Sequence, residues 1–142
     1  PPDSVTATTT GGNNITINYS QPSIKGRTIG KDIAPYEKVW RAGANEATTF
    51  EISKAAKIQG QYDLPAGKYS LYAIPGEKNW TIIFNKTWKQ WGTVYNQNED
   101  ALRVIVPAGK SSEFAEKLNY KINKSGAVTL TWGNTAVSFK TT

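Results

Sequence analysis

Apolar and polar residues alternate along several short stretches of this chain. In ITINYS (15–20), two isoleucines and a tyrosine alternate with threonine, asparagine and serine. The stretches ALRVIV (101–106) and KLNYKIN (117–123) repeat this period of two, with aliphatic or aromatic side chains at every second position. Such a period is typical of a β-strand with one face buried and the other in water. The pattern therefore predicts strands at these three places.

Turn-forming residues separate further β-rich stretches. PGEKN predicts a hairpin, and the Ser-Gly and Gly-Asn pairs near the C-terminus predict a meander with tight turns. Many short strands with turns at intervals of about 8–12 residues favour an antiparallel sandwich or barrel. We predict an all-β fold, an antiparallel β-sandwich of about eight to ten strands with long packed loops. The further stretches are TTFEIS (48–53), GKYSLYAIPG (67–76), WTIIFNK (80–86), AVTLTW (127–132) and TAVSFKT (135–141).

Helical patterns are weak, and two stretches show little alternation of either kind. We expect at most one helical turn in KTWKQWG (86–92) and another in SSEFAEKL (111–118), where a serine can act as N-cap. The stretches without alternation are 21–46 and 85–100. Structureless loops longer than about 15 residues tend to be functional or tightly packed. Isoleucines and aromatic residues in 21–46 predict that it packs across an end of the sandwich.

Length and charge narrow the classes of protein that this chain can belong to. At 142 residues, we predict one domain spanning 1–142. No apolar run approaches the roughly 18 residues of a membrane span, so none is expected. The net charge is +6, but the lysines are dispersed, whereas nucleic-acid-binding proteins concentrate positive charge on one face. We therefore expect no nucleic-acid partner.

The chain contains no cysteine, histidine or methionine. Disulfides and Ser–His catalysis are therefore excluded, and transition metals lack their preferred ligands. The four aspartates are dispersed and form no calcium-binding loop, so we predict no metal site and no cofactor. One enzymatic alternative stays open. Glycoside hydrolysis needs two carboxylates about 5–9 Å apart, and Glu46 with Asp100 or Asp32 is the candidate pair.

Arginine is rare in this chain, with 3 arginines among 17 basic residues, and each lies in a distinctive stretch. Its planar guanidinium suits bidentate contacts with carboxylates and carbonyls, and stacking on aromatic rings. We expect Arg41 to fasten the 21–46 loop by stacking near Trp40 and bonding Glu46 or nearby carbonyls. A pocket in which Arg41 faces a polar ligand is the alternative. The predicted structural clamp residues are Arg27, Trp40, Arg41, Glu46, Asp100 and Arg103.

Aromatic residues and amides are concentrated in the 85–100 stretch. Aromatic faces pack on the apolar faces of sugar rings, and amides bond hydroxyls, so this composition indicates a ligand surface. Trp80 begins an alternating stretch and is predicted to lie in the core. Trp88 and Trp91 either form a stacking platform or close the end of the sandwich. The predicted ligand-binding residues are Arg41, Asn45, Glu46, Trp88, Gln90, Trp91 and Tyr95.

Six motifs follow one another along the chain: ITINYSQPSIKGR (15–27), APYEKVWRAGANEATT (34–49), LPAGKYSLYAIPG (64–76), WTIIFNK (80–86), QWGTVY (90–95) and LRV (102–104). Together they resemble a bacterial family, domain of unknown function family 2911. The resemblance runs from about residue 15 to the C-terminus and implies a secreted or envelope protein. Gln21 and Asn18 stand where the family commonly has arginine and aspartate. The start at PPDSVTATTT without an initiator methionine indicates a removed signal peptide or an otherwise trimmed chain.

Three functional hypotheses follow from the sequence. The leading one is a non-enzymatic envelope module that binds a glycan or a peptide through the aromatic stretch and the Arg41–Glu46 loop. The second is a carbohydrate-active hydrolase that uses the carboxylate pair. The third is a structural domain whose aromatic patch packs on another envelope protein.

Overall fold

A computed structural model describes residues 2–89, 91 and 94–142, and more than half of these residues lie in β-strands. They form ten strands and one 3₁₀-helix at Gln97–Glu99. The fold is all-β, as the alternation predicts. The strands are β1 (Pro2–Thr8), β2 (Asn14–Ser20), β3 (Thr48–Ile52), β4 (Ala56–Ile58), β5 (Tyr62–Leu64), β6 (Gly67–Ile74), β7 (Asn79–Asn85), β8 (Asp100–Pro107), β9 (Gly109–Ile122) and β10 (Ala127–Lys140).

Six strands form one antiparallel sheet in the order β1-β2-β3-β6-β7-β8. The predicted hairpin at PGEKN joins β6 to β7. Residues that alternate in sequence fall on opposite faces, so Ile17, Phe50 and Tyr69 lie side by side across β2, β3 and β6 and are buried. The inner face of this sheet is therefore mostly apolar, and most polar side chains of β2 and β3 lie on the opposite face.

The second layer consists of β9 and β10, and β10 folds back on itself. Residues nine apart in a straight strand lie about 30 Å apart. Thr129 Oγ1 nevertheless lies 2.7 Å from Ser138 Oγ, and the Thr141 amide donates to the Gly126 carbonyl at 2.8 Å. Gly133, with φ of 59°, stands between the two arms. The two arms and β9 together form the meander that the Gly-Asn turn predicts.

Aromatic rings fill the space between the two layers. Phe50 and Phe84 of the large sheet contact Phe139 of β10, with ring centroids 5.8 and 5.5 Å apart, and each other at 5.2 Å. All three pairs are close to edge-to-face, the geometry that the charge distribution of aromatic rings favours. Full burial of such a side chain stabilises by about 1.5–3 kcal/mol. The strands thus pack as a two-layer sandwich.

The long segment between β2 and β3 closes one end of the sandwich. Trp40 is buried there, and its ring stacks on that of Trp132. The ring centroids are 5.5 Å apart and the angle between the ring planes is 4°. The Trp40 amide and carbonyl exchange hydrogen bonds of 2.7 and 2.9 Å with Ala73 of β6. Arg27 donates to the carbonyls of Ile24 and Ser23 at 3.1 and 2.8 Å. The segment therefore packs on the core, as its isoleucines and aromatic residues predict.

Three local expectations need correction. The predicted helical turn at 111–118 is wrong, because this stretch lies inside β9, where Ala115 pairs with β10 and residues 116–118 bond with the backbone of residues 22–24. The described residues 86–89 of the other predicted turn are also non-helical. The N-terminal strand β1 and the short pair β4–β5 had not been predicted. In β1 the inward positions include Val5 and Ala7, which are too small to give a clear apolar period.

Candidate functional site

An open groove of about 1080 Å³ lies over the outer, polar face of the large sheet. Its floor includes Ser4, Asn18 and Thr49, which are direct cross-strand neighbours on β1, β2 and β3. They are polar because the alternate positions on these strands supply the core. A straight row of two hydroxyls and one amide thus faces the groove.

The same polar row continues across the rest of the sheet through Ser70, Asn85 and Asp100. There the described residues of the segment after β7, among them Thr87 and Asn96, cover it, and they are called the covering segment below. Ser70 Oγ donates to the Thr87 carbonyl at 2.7 Å. Asn85 Nδ2 donates to the Asn96 carbonyl at 3.0 Å and to Asp100 Oδ1 at 2.9 Å. Half of the row therefore holds the covering segment in place, and the other half lines the groove.

Two loops from opposite sides of the sheet build the walls. Asn45 and Glu46 come from the loop before β3, and Trp88 and Trp91 come from the segment after β7. An antiparallel bridge between Glu46 and Trp91 ties the two loops together. Trp88 is 39% exposed and Trp91 is 60% exposed, so neither tryptophan closes the end of the sandwich. Lys68 Nζ lies 4.1 Å from the centroid of the Trp88 ring.

The Ala-Gly-Ala-Asn sequence shapes the first of these loops. The carbonyl of buried Ala42 accepts hydrogen bonds from Thr48 Oγ1 at 3.0 Å and Tyr120 Oη at 2.6 Å. At Gly43, a Cβ would lie only 2.5 Å from Thr48 Oγ1, so a side chain does not fit. Asn45 has a left-handed φ of 60°, which asparagine tolerates better than most residues. The motif therefore fixes the position from which Glu46 reaches the groove.

Arg41 does not pair with Glu46. The ion pairs among the described residues are Lys57–Asp63 and Arg103–Asp100, and the half-buried Arg41 has no hydrogen-bonding partner among those residues. Arg41 also lies outside the groove lining, whereas Glu46 belongs to it. The turn at Asn45 carries Glu46 towards Trp91, and Trp40 stacks on Trp132, so neither expected partner is available to Arg41.

Tyr95 is part of the covering segment, where it joins a hydrogen-bonded cluster, and it does not line the groove. Its hydroxyl donates to Asp100 Oδ2 at 2.6 Å and accepts from Arg103 Nη2 at 2.8 Å. Arg103 Nε also donates to Asp100 Oδ2, at 2.8 Å. Burial, followed by the hydrogen bond to Asp100, raises the pKa of Tyr95 to about 12. Gln90, the remaining predicted ligand residue, lies outside the described residues.

The carboxylates proposed for hydrolysis do not meet in the groove. Asp100 is held by Tyr95 and Arg103, and Asp32 accepts a hydrogen bond from the Thr28 amide at 2.9 Å. Neither lines the groove with Glu46, although Asp3 does. Within the described part of the chain, no group of three or more acidic side chains is arranged to hold a metal ion.

Comparison with known families agrees with the motifs. The sequence model of the family described as "Protein of unknown function (DUF2911)" matches residues 1–141. The chain belongs to this family. The match includes β1, which lies upstream of the motifs and supplies Ser4 to the groove of this family member. Comparison with curated proteins and with solved structures gives no match. Among the described residues of this family member, no helix is long and apolar enough to cross a membrane.

In this family member, Tyr95→Phe is expected to lower the free energy of unfolding by about 1–2 kcal/mol near neutral pH, because two hydrogen bonds to charged groups are lost. The raised pKa means that folding favours the neutral hydroxyl. The stabilisation that the neutral Tyr95 hydroxyl gives the folded protein is complete below about pH 10. It disappears as the pH rises through about 12. Urea unfolding of both proteins across this interval should therefore show their stability difference shrinking.

Comparison of the two proteins isolates Tyr95, because other tyrosines titrate in the same range. Burial also raises the pKa values of Tyr19, Tyr69 and Tyr120. These three tyrosines change the free energy of unfolding equally in wild type and variant, so their effect cancels when the two stabilities are subtracted. A stability difference that stays constant up to about pH 12 would contradict the role assigned to the Tyr95 hydroxyl.

Proposed function

We propose that this domain is a non-enzymatic module of a secreted or cell-envelope protein that binds a glycan in the groove. The observation that carries the proposal is the 60% exposure of Trp91 beside a floor of hydroxyl and amide side chains. An exposed tryptophan offers a flat apolar face to the C–H surface of a sugar ring. Ser4, Asn18 and Thr49 offer donors and acceptors to its hydroxyls.

The size and openness of the groove favour a chain of sugars over a single sugar. Pockets for drug-sized ligands usually have volumes of about 300–1,000 Å³ and bury most of the ligand. This groove reaches the upper end of that range and is open along the sheet. Its floor crosses three strands about 4.8 Å apart, so successive groups of an extended ligand can each meet a different strand.

The other hypotheses have less support from the geometry. A hydrolase would need a second carboxylate to act with Glu46. Both predicted partners make their hydrogen bonds away from the groove, and Asp3, which lines it, accepts a hydrogen bond from the Tyr19 hydroxyl. A protein partner would bury the exposed tryptophans, but interface cores are depleted in charged residues, and this groove carries Asp3, Glu46 and Lys68. We therefore place glycan binding first.

Trp91→Ala is the direct test. On an array of bacterial cell-wall and capsular oligosaccharides, the wild-type domain should bind a subset. The alanine variant should bind that subset about 5-fold to 150-fold more weakly, the range that corresponds to a loss of about 1–3 kcal/mol when a tryptophan contact is truncated. Folding should be unaffected, because the ring is largely exposed.

Phe114→Ala provides a matched control. Phe114 is 58% exposed, close to the value for Trp91, but it lies on β9 outside the groove. The control should bind glycans as the wild type does. If no arrayed glycan binds the wild type, or if both variants lose binding equally, the groove is not a glycan site and the protein-interaction hypothesis takes its place.

A further inference from the structure

Lys68 occupies an unusual position on the groove wall. It lies on β6 directly opposite Glu51 of β3, a placement in which a lysine and a glutamate can form a cross-strand ion pair. That pair is not formed. The Lys68 ammonium instead lies 4.1 Å from the centroid of the Trp88 ring, facing the groove.

This arrangement holds a positive charge in place without neutralising it. A cation over a tryptophan face is attracted to the ring and is restricted in its conformations. The aromatic ring accepts no conventional hydrogen bond, and Lys68 has no hydrogen-bond acceptor among the residues described. Its three N–H groups are therefore available to a ligand.

The charges around the groove are arranged unevenly. Lys89 follows Trp88 directly and lines the groove together with Lys68. Glu46 comes from the loop before β3, and Asp3 comes from β1 at the edge of the sheet, where it accepts a hydrogen bond from the Tyr19 hydroxyl at 3.1 Å. The chain as a whole carries a net charge of +6, which attracts anions in solution.

We propose that the groove takes an acidic glycan, one whose sugar rings carry carboxylates, and that Lys68 binds a carboxylate beside Trp88. This inference rests on the proposed glycan-binding function and specifies the class of glycan. The ligand carboxylate is attracted to Lys68 and Lys89 and repelled by Glu46, so the charges also set the direction in which the chain lies. Trp88 serves to position the lysine, and Trp91 remains the exposed stacking surface.

The test compares short oligouronates with the same oligosaccharides after reduction of their carboxyl groups to alcohols. Calorimetric titration at low ionic strength should show the oligouronate binding at least about tenfold more tightly, the gain expected from one charge-assisted hydrogen bond. Lys68→Gln should remove most of this preference, because it weakens binding of the oligouronate far more than binding of the reduced probe. Lys121→Gln, on the exposed surface of β9, removes the same charge away from the groove and should retain the preference.

The outcomes separate this inference from the proposed function. Equal binding of both probes, with both weakened by Trp91→Ala, would overturn the acidic preference and leave glycan binding intact. Failure of both probes to bind would overturn the inference, and the array experiment then decides whether the domain binds other glycans. A single-stranded oligonucleotide of equal charge serves as a further probe. If it binds as tightly as the oligouronate and loses as much affinity in Lys68→Gln, the groove responds to polyanions in general, and the inferred preference for an acidic glycan is overturned.

Discussion

Replacement of Trp40 by alanine should lower the free energy of unfolding by about 3–5 kcal/mol, the range found when large aromatic residues are removed from protein cores. Trp40 is buried, stacks on Trp132 and meets Trp80 edge-on at 6.0 Å. No neighbouring element can easily move into the space of a missing indole, because Trp132 and Trp80 belong to different layers of the sandwich. Urea unfolding monitored by circular dichroism measures the change.

Trp88→Ala is the matched control for this measurement. It removes the same side chain from a position that is 39% exposed, where a loss of about 1 kcal/mol or less is expected. A similar loss in both variants would mean that the Trp40–Trp132 stack does not fasten the end of the sandwich. Small domains are stable by only about 5–15 kcal/mol, so Trp40→Ala should also shift the thermal midpoint clearly.

Much of the sandwich could be predicted because it depends on local alternation and turns. The strand at 15–20, the hairpin at PGEKN and the C-terminal meander each follow from patterns within about ten residues. The stretch at 111–118 shows the limit of this reasoning. A serine and two glutamates give it a helical start locally. In the fold, however, Ala115 pairs with Gly133 of β10 and residues 116–118 form backbone hydrogen bonds with residues 22–24, so tertiary context prevails.

The candidate site was predictable in part, for a different physical reason. Aromatic and amide composition indicates Trp88 and Trp91 as ligand residues, and the alternative of a pocket at the Arg41 loop indicates Asn45 and Glu46. The structure places these four around one groove. The floor could not be predicted, because it depends on which strands are neighbours and in what register. Residues 4, 18 and 49 are far apart in sequence and become adjacent only through the order β1-β2-β3.

Lys68 and Arg41 also show that the role of a side chain in the site depends on the fold and not on its local sequence. Lys68 is one of 14 lysines in a chain where dispersed lysine indicates a solvated surface, and nothing local distinguishes it. Its position over Trp88 arises from the return of the segment after β7 across the sheet. Arg41 is conspicuous in sequence, yet the described residues offer it no partner. Rarity of a residue type directs attention to a segment, and the backbone then decides which side chain reaches the groove.

Gly126→Ala should lower the free energy of unfolding by about 2–5 kcal/mol, the sum of a left-handed backbone penalty and a steric clash. Gly126 precedes β10 and has φ of 92°. A Cβ there would lie 1.9 Å from the Thr141 carbonyl oxygen, far inside contact distance. Relief of this clash requires Thr141 to move, which breaks its hydrogen bond to the Gly126 carbonyl and its bridge to Ile58.

Gly60→Ala separates the two contributions. Gly60 also has a left-handed φ, of 65°, but a Cβ there would meet no atom within 4 Å. Gly60→Ala should lower the free energy of unfolding only by the backbone penalty of about 1–2 kcal/mol. The excess loss in Gly126→Ala then measures how tightly the folded-back arms of β10 hold each other and β4. Equal losses in the two variants would mean that the end of β10 moves aside freely, and that the second layer of the sandwich does not depend on this contact.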